Sequence, residues 1–198
     1  MHHIKIVALF FILISLTVSF AQQKNMTLKE KIKRFAPTEI KGDVSKLSAD
    51  DSKALEKLIE ASKYMDSLYL RQVWSGNVDL LHKLQTDKSS KGKEQFHYFR
   101  INMSPWSGID HQEPFIEGVP NPRPPGANFY PEDMTKEQFN NWVTKLSEVE
   151  QKKATGFFYT IRRDDRGNLE NIPYSNEYRN LLEPAAELLK EAAALTDN

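Results

Sequence analysis

Seven of the chain's ten prolines fall between Ser104 and Met134, in the run SPWSGIDHQEPFIEGVPNPRPPGANFYPEDM. Proline fixes φ and removes a backbone donor, so no helix or central strand is expected to run through this segment. Trp106, Phe115, Ile116, Val119, Phe129 and Tyr130 interleave with the prolines. Disordered linkers lack such side chains, and a long, stiff, aromatic connection is usually functional or packed over a domain. The segment is therefore expected to be an ordered belt, with helices before it and a helix, a hairpin and a last helix after it.

The 198 residues carry 27 basic and 27 acidic side chains, a net charge of zero. That balance gives no electrostatic footprint for nucleic acid and no polybasic cluster for an anionic membrane surface. Residues 1–21 read as a secretory signal. His2, His3 and Lys5 precede an apolar run, Ile6 to Val18, broken only by Ser15 and Thr17, and Ser19 and Ala21 are the small residues before a cleavage site. The mature protein is expected to begin at Gln22, to be periplasmic or secreted, and to have no membrane association. The chain has no cysteine, which removes both disulfides and a lipid anchor at the cleavage site.

Residues 22–46 are polar and weakly patterned, and Lys29, Lys31, Lys33 and Arg34 read as a solvated basic face. Residues 47–198 read as one mainly helical domain. Ser48 with Asp51 opens its first helix, and Leu55, Leu58, Ile59, Ser62, Met65 and Leu68 follow at helical spacing as one apolar stripe. Gly76 is expected to stop it and Asn77 to cap the next helix, through Leu84. Phe96, Phe99 and Ile101 suggest another helix that ends before Pro105. After the belt, Thr135 and Gln138 form a capping box ahead of Phe139, Trp142, Val143 and Leu146, and Ser147 and Glu150 cap a further short helix. Phe157 to Ile161 and Leu169 to Pro173 flank the turn residues Asp164 to Asn168 as a hairpin. Ser175 is expected to cap a last helix that Pro184 kinks or divides.

Several stretches together resemble one family: Leu70 to Asn77, Gly118 to Pro120, Pro124 to Asp133, Ala154 to Phe158, and Leu182 to Asn198. The chain is similar to the N-terminal part of bacterial proteins related to dipeptidyl peptidase III. The resemblance covers Arg34 to the last residue. It implies part of a two-lobed, zinc-dependent peptidase that removes dipeptides from peptide N-termini. In that family zinc sits on a His-Glu helical motif with a further Glu, and the motif Glu acts as general base on the bound water. This chain has no such motif: none of His2, His3, His82, His97 and His111 is followed by Glu. The resemblance thus implies a portion that binds no zinc of its own and partners a missing C-terminal catalytic part. A non-catalytic peptide- or protein-binding scaffold and a truncated, functionless product are the alternatives.

Three groups of residues are candidates for function. Asn128, Phe129 and Tyr130 follow Pro124-Pro125-Gly126 and are candidates to line a peptide cleft, the amide holding substrate backbone; they equally suit plugging the belt onto the core. Asp110, His111 and Glu113, with Glu117, form the one local cluster of metal-ligand type, and a solvated acidic loop explains them better. Arg71 suits the carbonyls at a helix end, and Arg162 to Asp165 read as the polar end of a hairpin.

Overall fold

The computed structural model describes residues 26–196, so the expected signal at residues 1–21 lies outside them. The order of elements is α1 (Leu28–Ile32), α2 (Ala49–Val73), α3 (Asn77–Thr86), α4 (Ser90–Asn102), β1 (Trp106–Ser107), β2 (Glu113–Pro114), a 3₁₀ turn (Ala127–Phe129), α5 (Lys136–Val143), α6 (Glu148–Ala154), β3 (Tyr159–Arg163), β4 (Leu169–Pro173), α7 (Tyr174–Glu177) and α8 (Arg179–Ala193). The architecture is mainly α with small antiparallel ladders, β1 with β2 and β3 with β4. Among the described residues no helix is long and apolar enough to cross a membrane.

Helix α2 is the spine. Ser48 caps it: its oxygen accepts the Asp51 N–H at 3.0 Å and its hydroxyl donates to the Asp51 carboxylate at 2.7 Å. Helix α8 lies antiparallel along it, because Thr196 meets Asp51, Glu191 pairs with Lys57 and Asn180 meets Arg71. The buried residues of this pair are largely alanines, Ala54 and Ala61 on α2 and Ala185 and Ala192 on α8, so the backbones approach closely. This corrects the stripe expected from the sequence. Leu58, Ile59 and Met65 remain 46%, 50% and 42% exposed, because α8 docks on the small side of α2 and not on the large one.

The main core lies at the other end of α2. Leu70, Leu84 and Phe99 are its buried centre, with Val78, Phe96 and Phe115 packed around them. Asn77 does not cap α3; Gly76 holds the cap position. Asn77 is instead fully buried, and its Nδ2 donates to the Leu70 carbonyl at 3.2 Å and the Met103 carbonyl at 3.1 Å, which ties the ends of α2 and α4 together. Gly76 is needed for a close approach, since a Cβ there would come within 2.5 Å of the Trp74 ring.

The belt is ordered and packed. Trp106 is fully buried, lies edge-to-face on Trp74 at 5.4 Å, and donates from Nε1 to the Pro120 carbonyl at 3.0 Å. Its strands are two residues each, with Trp106 opposite Pro114, and form no central sheet. The hairpin is present but shifted: Tyr159 pairs with Pro173 and Arg163 with Leu169, and Phe157 and Phe158 stand outside the ladder, 89% and 74% exposed. The Thr135–Gln138 and Ser147–Glu150 caps form as read. Ser175 caps nothing: Pro173 precedes α7, and the chain divides at Tyr178. Pro184 lies within α8, which continues through it to Ala193.

Candidate functional site

The residues Gly126 to Tyr130 sit where the belt crosses the rest of the molecule. The turn is made by Ala127 at φ 46°, while Gly126 keeps a negative φ of −95°. Gly126 is needed for space, because a Cβ there would come within 2.7 Å of the Tyr130 ring. The 3₁₀ turn then aims Asn128 inward. Its Nδ2 donates to the Arg71 carbonyl at 2.7 Å, and its own carbonyl accepts from Arg162 Nη2 at 2.9 Å. Arg162 also reaches Glu177 Oε1, from Nε at 3.2 Å and from Nη2 at 2.7 Å. Arg71 lies 5.3 Å above the Tyr178 ring and donates to Asn180 Oδ1 at 3.1 Å. Belt, α2, β3, α7 and α8 therefore meet at one node. Arg162 is not the polar tip expected of it; it is this node's connector.

The aromatics on either side of Asn128 face different partners. Phe129 stacks on Tyr174 at 6.2 Å and 18°, whereas Tyr130 meets Phe139 edge-to-face at 5.5 Å. Tyr130 and Phe139 also line a pocket of about 220 Å³ with Pro124, Pro125 and Met134, where Glu132 and Lys136 supply charge. Ser75 Oγ donates to Glu132 Oε1 at 2.6 Å. Such a concave, mostly apolar surface with a few polar groups suits a small apolar group. Burial pushes the Tyr174 hydroxyl up and the Tyr178 hydroxyl up to about 12, so neither exchanges protons near neutral pH.

The cluster around Asp110 is built for another purpose. Asp110 is buried, and Arg34 grips it through Nη1 to Oδ1 at 2.8 Å and Nη2 to Oδ2 at 2.6 Å. Lys31 Nζ and Ser107 Oγ donate to Oδ2 at 2.9 and 2.7 Å. The Arg34 hydrogen bonds, with those of Lys31 and Ser107, outweigh desolvation and hold the carboxyl well below the usual range. Lys31 and Arg34 are thus not a solvated face: they clasp α1 and the following turn onto the belt. His111, Glu113 and Glu117 point away into solvent, and Glu117 pairs with Lys91 at 3.3 Å. Among the described residues no group of three or more His, Cys, Asp or Glu could hold a metal ion. His82, His97 and His111 are all exposed and lie on α3, α4 and the belt.

Arg162, Glu177 and the Lys31–Arg34 clasp escaped sequence reasoning. Their partners are 15 to 79 residues away, and no local pattern marks them.

No family model matches the chain. An Arabidopsis thaliana protein named Nudix hydrolase 3 is 31% identical over a match that covers 89% of this chain and 29% of that protein. Two solved structures match more strongly. Dipeptidyl-peptidase III from Corallococcus sp. strain EGB is 48% identical with a TM-score of 0.82, and DPP III from Caldithrix abyssi is 41% identical with a TM-score of 0.80. Each match covers 86% of this chain and 32% of the matched chain. In sequence and fold the chain corresponds to an N-terminal dipeptidyl-peptidase III-like portion, and it spans about a third of the length of these relatives.

Proposed function

We propose that this chain is the N-terminal part of an exported, zinc-dependent dipeptidyl peptidase, and that it contributes a wall of the substrate cleft without contributing the metal. The carrying observation is the likeness to the two bacterial dipeptidyl-peptidase III structures, at 48% and 41% identity over 86% of the chain. The described residues do not fit a zinc ion: the histidines are scattered and the one buried acid of the belt is neutralised by Lys31 and Arg34. No catalytic step is assigned to them. Asn128, Phe129 and Tyr130 are the residues proposed to serve the peptide. Asn128 holds the turn in place through Arg71 and Arg162, Phe129 anchors it on Tyr174, and Tyr130 offers the pocket. Export rests on the pattern of residues 1–21 alone.

The name of the Arabidopsis protein points to another hydrolase class and conflicts with this reading; this chain covers 29% of that protein, as it covers 32% of the two solved structures, and the reading follows the higher identities of 48% and 41% against 31%. The second reading is a non-catalytic peptide-binding scaffold, which the mostly apolar lining of the same pocket also suits.

A chimera tests the proposal. With this chain replacing the matched third of the Corallococcus enzyme, Tyr130→Ala should raise KM for a dipeptidyl arylamide several-fold and leave kcat nearly unchanged, the mark of lost substrate binding. An active chimera whose KM ignores Tyr130→Ala removes the pocket from the cleft. A folded chimera with no turnover removes the peptidase reading.

A further inference from the structure

The belt carries a second recess next to the Tyr130 pocket. Pro124, Pro125 and Ala127 border both. The second recess holds about 390 Å³ and adds His111, Gln112, Glu113, Asn121 and Arg123 to that border. Arg123 stands apart from the other arginines. Among the described residues, Arg34, Arg71, Arg162, Arg163 and Arg179 each pair with an aspartate or glutamate. Arg100 and Arg166 are exposed. Arg123 is half-buried, and no carboxylate among the described residues pairs with it.

The Arg123 guanidinium is nevertheless held. Its Nη1 donates to Gln112 Oε1 at 3.0 Å, and its central carbon lies 5.7 Å from the middle of the fully buried Trp106 ring. The supporting loop is fixed in turn. His111 and Gln112 both take the left-handed region, at φ 55° and 63°, which side chains rarely adopt. The Gln112 N–H donates to the Ser107 carbonyl at 3.0 Å and the Glu113 N–H to the Asp110 carbonyl at 3.0 Å, and Asp110 is the acid that Lys31 and Arg34 grip. Arg123 Nε and Nη2 donate to nothing among the described residues, and neither is closed off from solvent. These two nitrogens form one edge of the guanidinium fork, the edge that matches both oxygens of a carboxylate. An arginine already fixed on its platform loses little freedom when such a ligand arrives. Glu113 is the opposing charge in the recess; it is exposed, so solvent screens it.

We infer that Arg123 is a carboxylate-binding residue, and that the belt takes a peptide with a small apolar group against Tyr130 and an acidic group on Arg123. The inference rests on reading Asn128, Phe129 and Tyr130 as part of a peptide cleft. An Asp or Glu side chain and a peptide C-terminus offer the same carboxylate chemistry to the fork.

Three peptides titrated into this chain test it: acetyl-Ala-Val-Ala-Glu-Ala-amide, its Gln counterpart, and the Gln counterpart with a free C-terminus. At least one of the two carboxylate peptides should bind about three-fold or more tightly than the Gln amide, and should shift the Arg123 Nε–H resonance. Whichever binds tighter identifies the source of the carboxylate. Arg123→Gln should abolish the difference and Arg123→Lys should keep part of it. Equal binding of all three peptides by the parent overturns the inference without recourse to any variant, and so does the absence of binding by all three. A preference that survives Arg123→Gln overturns it as well. Tyr130→Ala separates this inference from the reading beneath it. A carboxylate preference at Arg123 with no effect of Tyr130→Ala on any peptide supports the carboxylate site while removing the Tyr130 pocket from the cleft.

Discussion

Arg162 Nη2 lies 2.7 Å from Glu177 Oε1 and at the same time donates to the Asn128 carbonyl at 2.9 Å. One guanidinium therefore ties the hairpin to α7 and to the belt. Both side chains of the pair are mostly shielded, at 23% and 16% exposure. Arg162→Ala leaves Glu177 with a distant Arg71 at 3.9 Å and leaves the Asn128 carbonyl without its donor. It should cost about 2 kcal/mol in urea unfolding. Arg162→Lys keeps the charge and loses the planar fork, so it should recover less than half of that. A neutral Arg162→Ala would contradict the role given to this node.

Asp110 predicts a pH dependence. Its folded pKa is lowered from the ordinary 3.8, first by the Arg34 hydrogen bonds and then by Lys31 and Ser107. A lowered folded pKa means that the unfolded chain binds the proton more tightly. The stabilisation from Asp110 is therefore complete above about pH 4 and is lost progressively as pH falls toward the folded pKa. Asp110→Asn leaves Arg34 and Lys31 without their anion and should cost roughly 3 kcal/mol at pH 7. The gap between variant and parent should narrow below pH 4. A gap that is constant from pH 7 to pH 2.5 would contradict the clasp.

Tyr178 predicts a change of opposite sign. It is fully buried, and its hydroxyl has no hydrogen-bond partner among the described residues. Arg71 contacts the ring face, which phenylalanine also offers. Tyr178→Phe should be neutral or stabilise by up to about 1 kcal/mol, because an unmatched buried hydroxyl carries a desolvation cost. A loss above about 1 kcal/mol would show that the hydroxyl has a partner after all.

The belt predicts a proteolysis pattern. Phe115 packs edge-to-face on Tyr98 at 4.6 Å, Phe129 stacks on Tyr174, and Arg123 lies 5.7 Å over the Trp106 ring while donating to Gln112 at 3.0 Å. Chymotrypsin should cut slowly at Phe115 and Phe129. Rapid cleavage after Phe115 or Phe129, while the rest of the chain resists, would contradict a packed belt.

What was legible in the sequence follows from the range of the interactions. Ser48, Thr135 and Ser147 cap helices three residues downstream, so their signals are local and their helices were read correctly. The proline belt was legible because proline acts on its own backbone. Which face of α2 is buried was not legible: the apolar period was right, but the partner α8 chose the alanine side. Asn77 and Ser175 had cap chemistry in sequence and none in space, because tertiary contacts claimed Asn77 and Pro173 took the position before α7. Around the candidate site, Asn128, Phe129 and Tyr130 could be picked out from the glycine turn, whereas Arg162 and Glu177 depended on long-range pairing.

The most direct measurement is zinc content and dipeptidyl-arylamide turnover, read side by side after dialysis, for this chain alone and for the chimera with the Corallococcus enzyme. A catalytic zinc needs three protein ligands around an open water position, which the described residues do not bring together. The chain alone should retain no zinc and show no turnover, and the chimera should hold one zinc with chelator-sensitive turnover. One tightly held zinc with chelator-sensitive turnover in the isolated chain would contradict it.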